Sequence, residues 1–138
     1  MTARDLPAVV ELATQLGYPA TLAQVEPRFE HVRDSRNEAL LVAELDDGAV
    51  AGWIHIAADF ALTHDSAAEI KGLVVRQDQR GRGLGAELVT AAEAWCLRRG
   101  FRTVRVKSRV EREAAHRFYQ GRGYQPQKTQ HVLVHKLR

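Results

Sequence analysis

A glycine-rich segment with two arginines carries the clearest chemical signal in the sequence. It reads Gln79-Arg80-Gly81-Arg82-Gly83-Leu84-Gly85 and lies between an apolar run, Leu73-Val74-Val75, and a long helical pattern. Glycines let successive backbone N–H groups point into one concavity, and a helix N-terminus adds partial positive charge. Arginine forks suit phosphate oxygens. The segment therefore predicts a phosphate-bearing ligand without specifying which one.

Three phosphate-binding motifs compete for this segment. A Walker A loop is excluded because Ala86-Glu87, and not Lys-Ser/Thr, follows Gly85. Residues 81–86 match the dinucleotide pattern G-x-G-x-x-G/A, but several residues separate the strand from the first glycine, and the next strand offers no acidic residue for a ribose. The third pattern, Arg/Gln-x-x-Gly-x-Gly/Ala, is matched by residues 80–85.

A second motif follows further along the chain. Residues 115–124, Ala-His-Arg-Phe-Tyr-Gln-Gly-Arg-Gly-Tyr, match the pattern Ala-x-x-Phe-Tyr-x-x-x-Gly-Phe/Tyr. With both motifs in this order, separated by a helix and a strand, the chain resembles the GCN5-related N-acetyltransferase (GNAT) family from its first helix to its last strand. The resemblance implies one acetyltransferase domain over residues 1–138. It also implies transfer of acetyl from acetyl-CoA to a primary amine, by direct attack in a ternary complex and without a metal.

The resemblance also implies roles for individual residues. Tyr119 would lie near the CoA sulfur and protonate the leaving thiolate, although a packed structural tyrosine is the alternative. Glu69, at the start of its predicted strand, matches a glutamate that acts as base in the histone-acetylating branch, and a solvated strand end is the alternative. The backbone of the 73–75 run would face the pantetheine arm and donate to the acetyl oxygen. The residues assigned to acetyl-CoA are Leu73, Val74, Val75, Arg80, Gly81, Arg82, Gly83, Leu84, Gly85, Arg112 and Phe118. Of these, Arg112 stands where many relatives carry Asn.

Other reactive side chains carry less weight. His64 and His116 are further candidates for acid or base chemistry, but a structural role is the commoner one for such histidines. Cys96 lies mid-helix among alanines, which favours core packing over a reactive thiol.

In this family the acceptor site is shaped by segments corresponding to residues 16–36 and 60–66. Their arginines would allow a carboxylate or phosphonate on the substrate, and the run around Tyr119 is similar to that of aminoalkylphosphonate acetyltransferases. A small amine, an amino acid, an antibiotic and a protein N-terminus all stay open as acceptors. The side chains these segments offer are Tyr18, Arg28, Phe29, His31 and Arg33.

The elements that must position these residues follow from apolar periodicity and turn residues. They predict a mixed α/β fold with a mostly antiparallel sheet and one parallel β-α-β unit, which suits the acyl-CoA N-acyltransferase fold of the family. Thr21 and Gln24 predict a capping box at the start of the second helix. Pro27 lies inside that helix and could kink or split it. Helices are predicted at residues 4–16, 21–33, 83–99 and 113–120, and strands at residues 39–45, 50–60, 69–76, 103–108, 124–128 and 131–137.

The start of the chain departs from the family. Relatives usually begin with a strand before the first helix, and residues 1–3 leave almost no room for one. The hairpin at residues 39–60 would then expose a sheet edge, which a second subunit in a homodimer, or a few residues before Met1, could cover.

Composition limits the remaining classes. The 138 residues are 45 % hydrophobic and 27 % charged, which suits one globular domain. One cysteine and no signal-like segment predict a cytoplasmic protein, and no apolar run is long enough to predict a membrane span. Arginines interleaved with acids, and no aromatic stacking motif, argue against a nucleic-acid partner. The alternative function is a non-catalytic acyl-CoA-binding regulatory module of the same fold.

Overall fold

A computed structural model describes all 138 residues. The chain forms two compact units, Met1–Lys107 and Ser108–Arg138. The first unit carries helices α1 (Leu6–Leu16), α2 (Leu22–Val32) and α3 (Leu84–Arg98), with strands β1 (Glu38–Glu44), β2 (Val50–Asp59), β3 (Ala67–Val75) and β4 (Val104–Val106). The second unit carries helix α4 (Glu113–Gly121). Short 3₁₀ turns lie at Ala3–Asp5 and Gln77–Gln79.

The sheet has the order β1-β2-β3-β4. β1, β2 and β3 are antiparallel neighbours, with Leu41 opposite Ile54 and Trp53 opposite Val74. β4 runs parallel to β3, and α3 makes the crossover between them. This architecture confirms the predicted mixed sheet with one parallel β-α-β unit.

Local signals in the sequence explain the helix ends. The Thr21 hydroxyl accepts from the Gln24 amide at 3.2 Å, and the Thr21 amide donates to the Gln24 side chain at 3.0 Å, so the predicted capping box is confirmed. α1 ends at Gly17, whose φ of +102° is the left-handed conformation that glycine tolerates. α2 is not split at Pro27: the helix continues through this middle residue, which lacks the N–H that would donate to the Ala23 carbonyl.

Helices cover both faces of the sheet. The Trp53 indole donates to the Val9 carbonyl of α1 at 3.3 Å, whereas a Cβ on Gly52 would lie 3.2 Å from Leu88 of α3. Gly52 and Trp53 are neighbours on β2, and neighbouring strand residues point to opposite faces of the sheet. α1 and α3 therefore pack on opposite faces of the sheet. α1 buries Leu6, Val9 and Leu12. The buried face of α3 is Leu88, Val89, Ala92 and Cys96.

Two predicted strands are wrong. Residues 124–128 and 131–137 have β-type patterns but form no strand. Their own unit contains only α4 and offers no strand to pair with, and β propensity needs a neighbour for its hydrogen bonds. The apolar side chains of this segment are 80–91 % exposed: Val132, Leu133, Val134 and Leu137.

Residues 1–5 form no strand. Residues 3–5 form a 3₁₀ turn, and the Met1 amino group donates to the Leu40 carbonyl of β1 at 3.2 Å. β1 has a strand neighbour on one side only. None of the helices is long and apolar enough to cross a bilayer.

Candidate active site

β3 and β4 separate part-way along their length. They pair at Ala68↔Val104, Glu69↔Arg105 and Ile70↔Val106, and the pairing then stops. β3 continues to Val75, held by β2 on one side and with no strand on the other. We call this opening the fork. The backbone of residues 71–75 therefore has an edge on which an extended ligand could lie as a further strand would.

A β-bulge marks the point where the fork opens. His55 pairs with Gly72 and Ile56 with Ile70, so Lys71 is an extra residue on β3. Bulges re-aim side chains and increase local twist. Gly72 is required next to it, since a Cβ there would lie 2.9 Å from the Trp53 ring.

The glycine loop joins the end of β3 to α3. Gly81 and Gly83 have φ values of +78° and +85°, and a Cβ on either would meet no atom within 4 Å. Gly83 caps α3 without any side-chain hydrogen bond to the first-turn amides. The Arg80 guanidinium donates to the Val75 carbonyl at 3.0 Å, and both Arg80 and Arg82 are exposed. Open amides at a helix start beside two exposed arginines fit a pyrophosphate.

Glu69 is the buried charge at the fork. β3 begins two residues before it, so the expectation that Glu69 starts the strand is wrong, and only 6 % of the residue is exposed. Lys71 Nζ lies 2.8 Å from one carboxylate oxygen and Lys107 Nζ 3.1 Å from the other. Burial raises the pKa of Glu69, but the hydrogen bonds from both lysines outweigh burial and leave that pKa below its usual value. Glu69 is therefore ionised at neutral pH.

A second ion pair lies beside Glu69 on the same face of the sheet. Arg105, the cross-strand partner of Glu69, donates to Asp59 at 3.1 Å. His64 Nε2 lies 3.7 Å from the same carboxylate oxygen, and its Nδ1 lies 2.8 Å from the Asp65 carbonyl. Paired charges thus lie before the opening of the fork, on the face that α1 packs against.

The second unit holds the remaining predicted residues around α4. Tyr119 is buried, and burial raises its pKa to about 12, although the charge of Arg112 acts to lower it. Its ring makes edge contacts with Phe118 at 5.1 Å and with Tyr124 at 5.4 Å. His116 Nε2 lies 2.9 Å from the Arg109 carbonyl, so that ring is held by the loop before the helix.

The segments predicted to shape the acceptor site are partly structural. Phe29 is buried, and Arg33 packs on its ring and pairs with Glu30 at 3.0 Å. A shallow pocket of about 490 Å³ includes Phe60 and Ser66, but it lies at the C-terminal end of α3. A 15-residue helix is about 22 Å long, so this pocket is far from the glycine loop.

Cys96 is buried, and burial raises the pKa of its thiol to about 11, which agrees with core packing. No group of three or more His, Cys, Asp or Glu side chains is placed to hold a metal ion.

Comparison with known proteins decides the family. Residues 7–124 match the acetyltransferase (GNAT) family. The chain is a member of the GNAT family. This confirms the family predicted from the two motifs.

The similarities of this GNAT chain to individual proteins agree with that assignment. It is 35 % identical over 81 residues to aminoalkylphosphonate N-acetyltransferase of Salmonella typhimurium (strain LT2), covering 58 % of this chain and 53 % of that protein. The match therefore spans about half the length of that curated relative. The structure of an aminoglycoside 6'-N-acetyltransferase from Acinetobacter haemolyticus superposes with a TM-score of 0.85 at 14 % identity, covering 100 % of this chain and 97 % of that one. The structure of AAC(6')-Iy with the bisubstrate analogue CoA-S-monomethyl-acetylneamine superposes with a TM-score of 0.81 at 21 % identity. The superposition covers 100 % of this chain and 95 % of that one. These superpositions confirm the predicted GNAT fold.

Some of the predicted site residues lie next to one another in the structure, and other residues beside them were not predicted. The run 73–75 and the loop 80–85 lie in succession along one side of the fork. Lys71, Gly72 and Lys107 were missed. The bulge and the strand register bring them into the site, and neither can be seen in local sequence patterns.

Proposed function

We propose that the chain is an acetyl-CoA-dependent N-acetyltransferase acting on a primary amine. The observation that carries this proposal is the fork, whose unpaired β3 backbone leads directly into an open glycine loop at the start of α3. Family membership supports the same chemistry. Because the matched region spans residues 7–124, we treat both compact units as parts of one acetyltransferase domain. One buried, unpaired thiol suits the reducing cytoplasm, where we place the protein.

The chain would hold acetyl-CoA mainly through its backbone. The amides of Gly81 to Gly85 and the guanidinium groups of Arg80 and Arg82 would bind the pyrophosphate, with Leu84 forming the first helical turn beneath it. The open edge of Leu73, Val74 and Val75 would pair with the pantetheine amides and donate one N–H to the acetyl oxygen. In the second unit, Arg112 and Phe118 are assigned to the same ligand by their place in the second motif.

The reaction needs a proton taken from the amine and a proton given to the sulfur. Acetyl-CoA supplies the acetyl thioester, whose carbon forms a bond to the amine nitrogen while its bond to sulfur breaks. The ionised Glu69 would accept the proton that the amine loses, directly or through water. Tyr119 would give its proton to the departing thiolate and recover one from solvent. The raised pKa of Tyr119 suits this role, because the phenol stays protonated at neutral pH.

Direct attack is expected to show as CoA release that requires both acetyl-CoA and an amine. Acetyl-CoA should raise the melting temperature of the protein, whereas an oligonucleotide should not. A panel of aminoalkylphosphonates, amino acids, aminoglycosides and peptide N-termini, followed by CoA release, would identify the acceptor. Binding of acetyl-CoA without CoA release from any amine would favour the non-catalytic module instead.

We further propose that two copies of the chain form a homodimer through the outer edge of β1. That edge has no strand neighbour and carries the half-buried apolar residues Leu40, Leu41 and Val42. An uncovered edge of this kind is an aggregation risk, and a C₂ pair is the commonest way to cover one. Light scattering at high micromolar concentration should give twice the monomer mass of 15.4 kDa. A stable monomer under these conditions would contradict the dimer.

A further inference from the structure

Two lysines meet at one buried carboxylate in the fork. The chain has only four lysines, and two of them, Lys71 and Lys107, bind the two oxygens of Glu69 at 2.8 Å and 3.1 Å. They come from different strands, Lys71 from the bulge of β3 and Lys107 from the residue that follows β4. The end of the pairing between those two strands brings them together.

The charges at this place do not balance. Glu69 supplies one negative charge against two positive charges, and the neighbouring Arg105 is already matched by Asp59. Glu69 is buried, while the Lys71 and Lys107 side chains are 49 % and 74 % exposed. An ammonium group has three N–H donors, and the contact with Glu69 uses one on each lysine. Because both lysine side chains are partly exposed, their unused donors are accessible beside Glu69.

Stability alone does not explain this arrangement. A single lysine would already pair with the buried carboxylate of Glu69, so neutralising that charge does not require the second. A bare ammonium acceptor would also be repelled by two lysines beside the reacting centre. An acceptor that carries an anionic group close to its amine would be attracted to the lysines, with its amine left near Glu69 and Asp59.

We propose that Lys71 and Lys107 bind an oxyanion, either a phosphonate, phosphate or carboxylate, on the amine acceptor. The proposal rests on the acetyltransferase function and names the substrate class of the same site. Glu69 holds the two ammonium groups at the two oxygens of one carboxylate, at 2.8 Å and 3.1 Å. The phosphates of acetyl-CoA do not compete for this place, because strand geometry puts Lys71 about 13 Å from the end of β3, where the glycine loop begins.

The test compares acceptors of matched length that differ in charge. Wild-type protein should acetylate 2-aminoethylphosphonate or β-alanine with a KM at least about tenfold lower than that for the uncharged β-alaninamide. Lys107→Gln and Lys71→Gln should each raise the KM for the anionic acceptors about tenfold, as expected for loss of a charged hydrogen bond. The KM for β-alaninamide should change less than about threefold. Lys107→Arg should restore most of the affinity, and Lys128→Gln, an exposed lysine in the tail, is the matched control.

Several outcomes overturn the proposal. The proposal is wrong if wild-type protein has the same KM for the anionic and the uncharged acceptors. It is also wrong if the lysine variants raise the KM for every acceptor equally. If the Lys71 variant does not fold, inhibition of the wild-type protein by methylphosphonate is the alternative test. Methylphosphonate should compete with the anionic acceptor and not with acetyl-CoA. If no amine is acetylated at all, the proposed function fails separately. Methylphosphonate should then still bind wild-type protein in a thermal shift, and equal binding to Lys107→Gln protein would refute the anion site.

Discussion

Replacing Tyr119 with phenylalanine should lower kcat by tenfold or more while acetyl-CoA still binds. General acid assistance is usually worth about 10²–10⁴ in rate, and this substitution removes only the hydroxyl. The ring contacts with Phe118 and Tyr124 would persist, because phenylalanine keeps the same ring. Steady-state kinetics at saturating acetyl-CoA and amine, with binding measured by calorimetry, separates the lost proton donor from lost affinity.

Tyr124→Phe is the matched control for this experiment. It makes the same chemical change on a ring 5.4 Å from that of Tyr119, at a position with no assigned catalytic role. Its kcat should stay within about twofold of the wild-type value. Equal losses in both variants, or no loss in Tyr119→Phe with chemistry as the limiting step, would show that Tyr119 only packs.

The pH profile gives an independent check on Tyr119. Burial raises the pKa of the phenol to about 12, so its proton is lost only at pH values well above those of a normal tyrosine. Since the protonated form is the acid, ionisation of Tyr119 should not reduce kcat between pH 7 and pH 10. A fall in kcat through that range in wild-type protein that is absent in Tyr119→Phe would contradict the raised pKa.

The sequence predicts those parts of the fold that depend on neighbours in the chain. The capping box of Thr21 and Gln24 needs only two residues three positions apart. The hairpin turn follows likewise from Asp47, whose carboxylate accepts from the Ala49 amide at 2.9 Å, and from Gly48, whose φ is +86°. The glycine loop is equally local, and the structure has it where the sequence predicts it, before α3.

Features that depend on residues distant in the chain were either missed or wrongly predicted from the sequence. The bulge at Lys71 exists only because β2 and β3 pair in one register, and a period-two pattern cannot show where an extra residue is inserted. The burial of Glu69 follows from the position of β3 between β2 and β4, and one of its two lysines comes from the residue after β4. The segment at residues 131–137 shows the converse, since its alternating apolar residues predict a strand and no neighbouring strand is present in its unit.

Replacing Gly83 with alanine should weaken acetyl-CoA binding by about tenfold or more, and valine should abolish it. The protein itself has space, since a Cβ at Gly83 meets no atom within 4 Å, but the side chain would occupy the place where a pyrophosphate approaches the amides. Its φ of +85° also strains any residue other than glycine, by about 1–2 kcal/mol. Calorimetric titration with acetyl-CoA measures the affinity, and thermal denaturation measures the strain.

Gly100→Ala separates these two effects. Gly100 follows α3 at its other end, has a φ of +86°, and would likewise meet no atom within 4 Å if it carried a Cβ. Both alanine variants should therefore lose similar stability, because they adopt the same disfavoured backbone conformation. Only Gly83→Ala should lose affinity, since only Gly83 lies among the amides at the N-terminus of α3. A folded Gly83→Ala protein that binds acetyl-CoA as tightly as Gly100→Ala would place the pyrophosphate elsewhere.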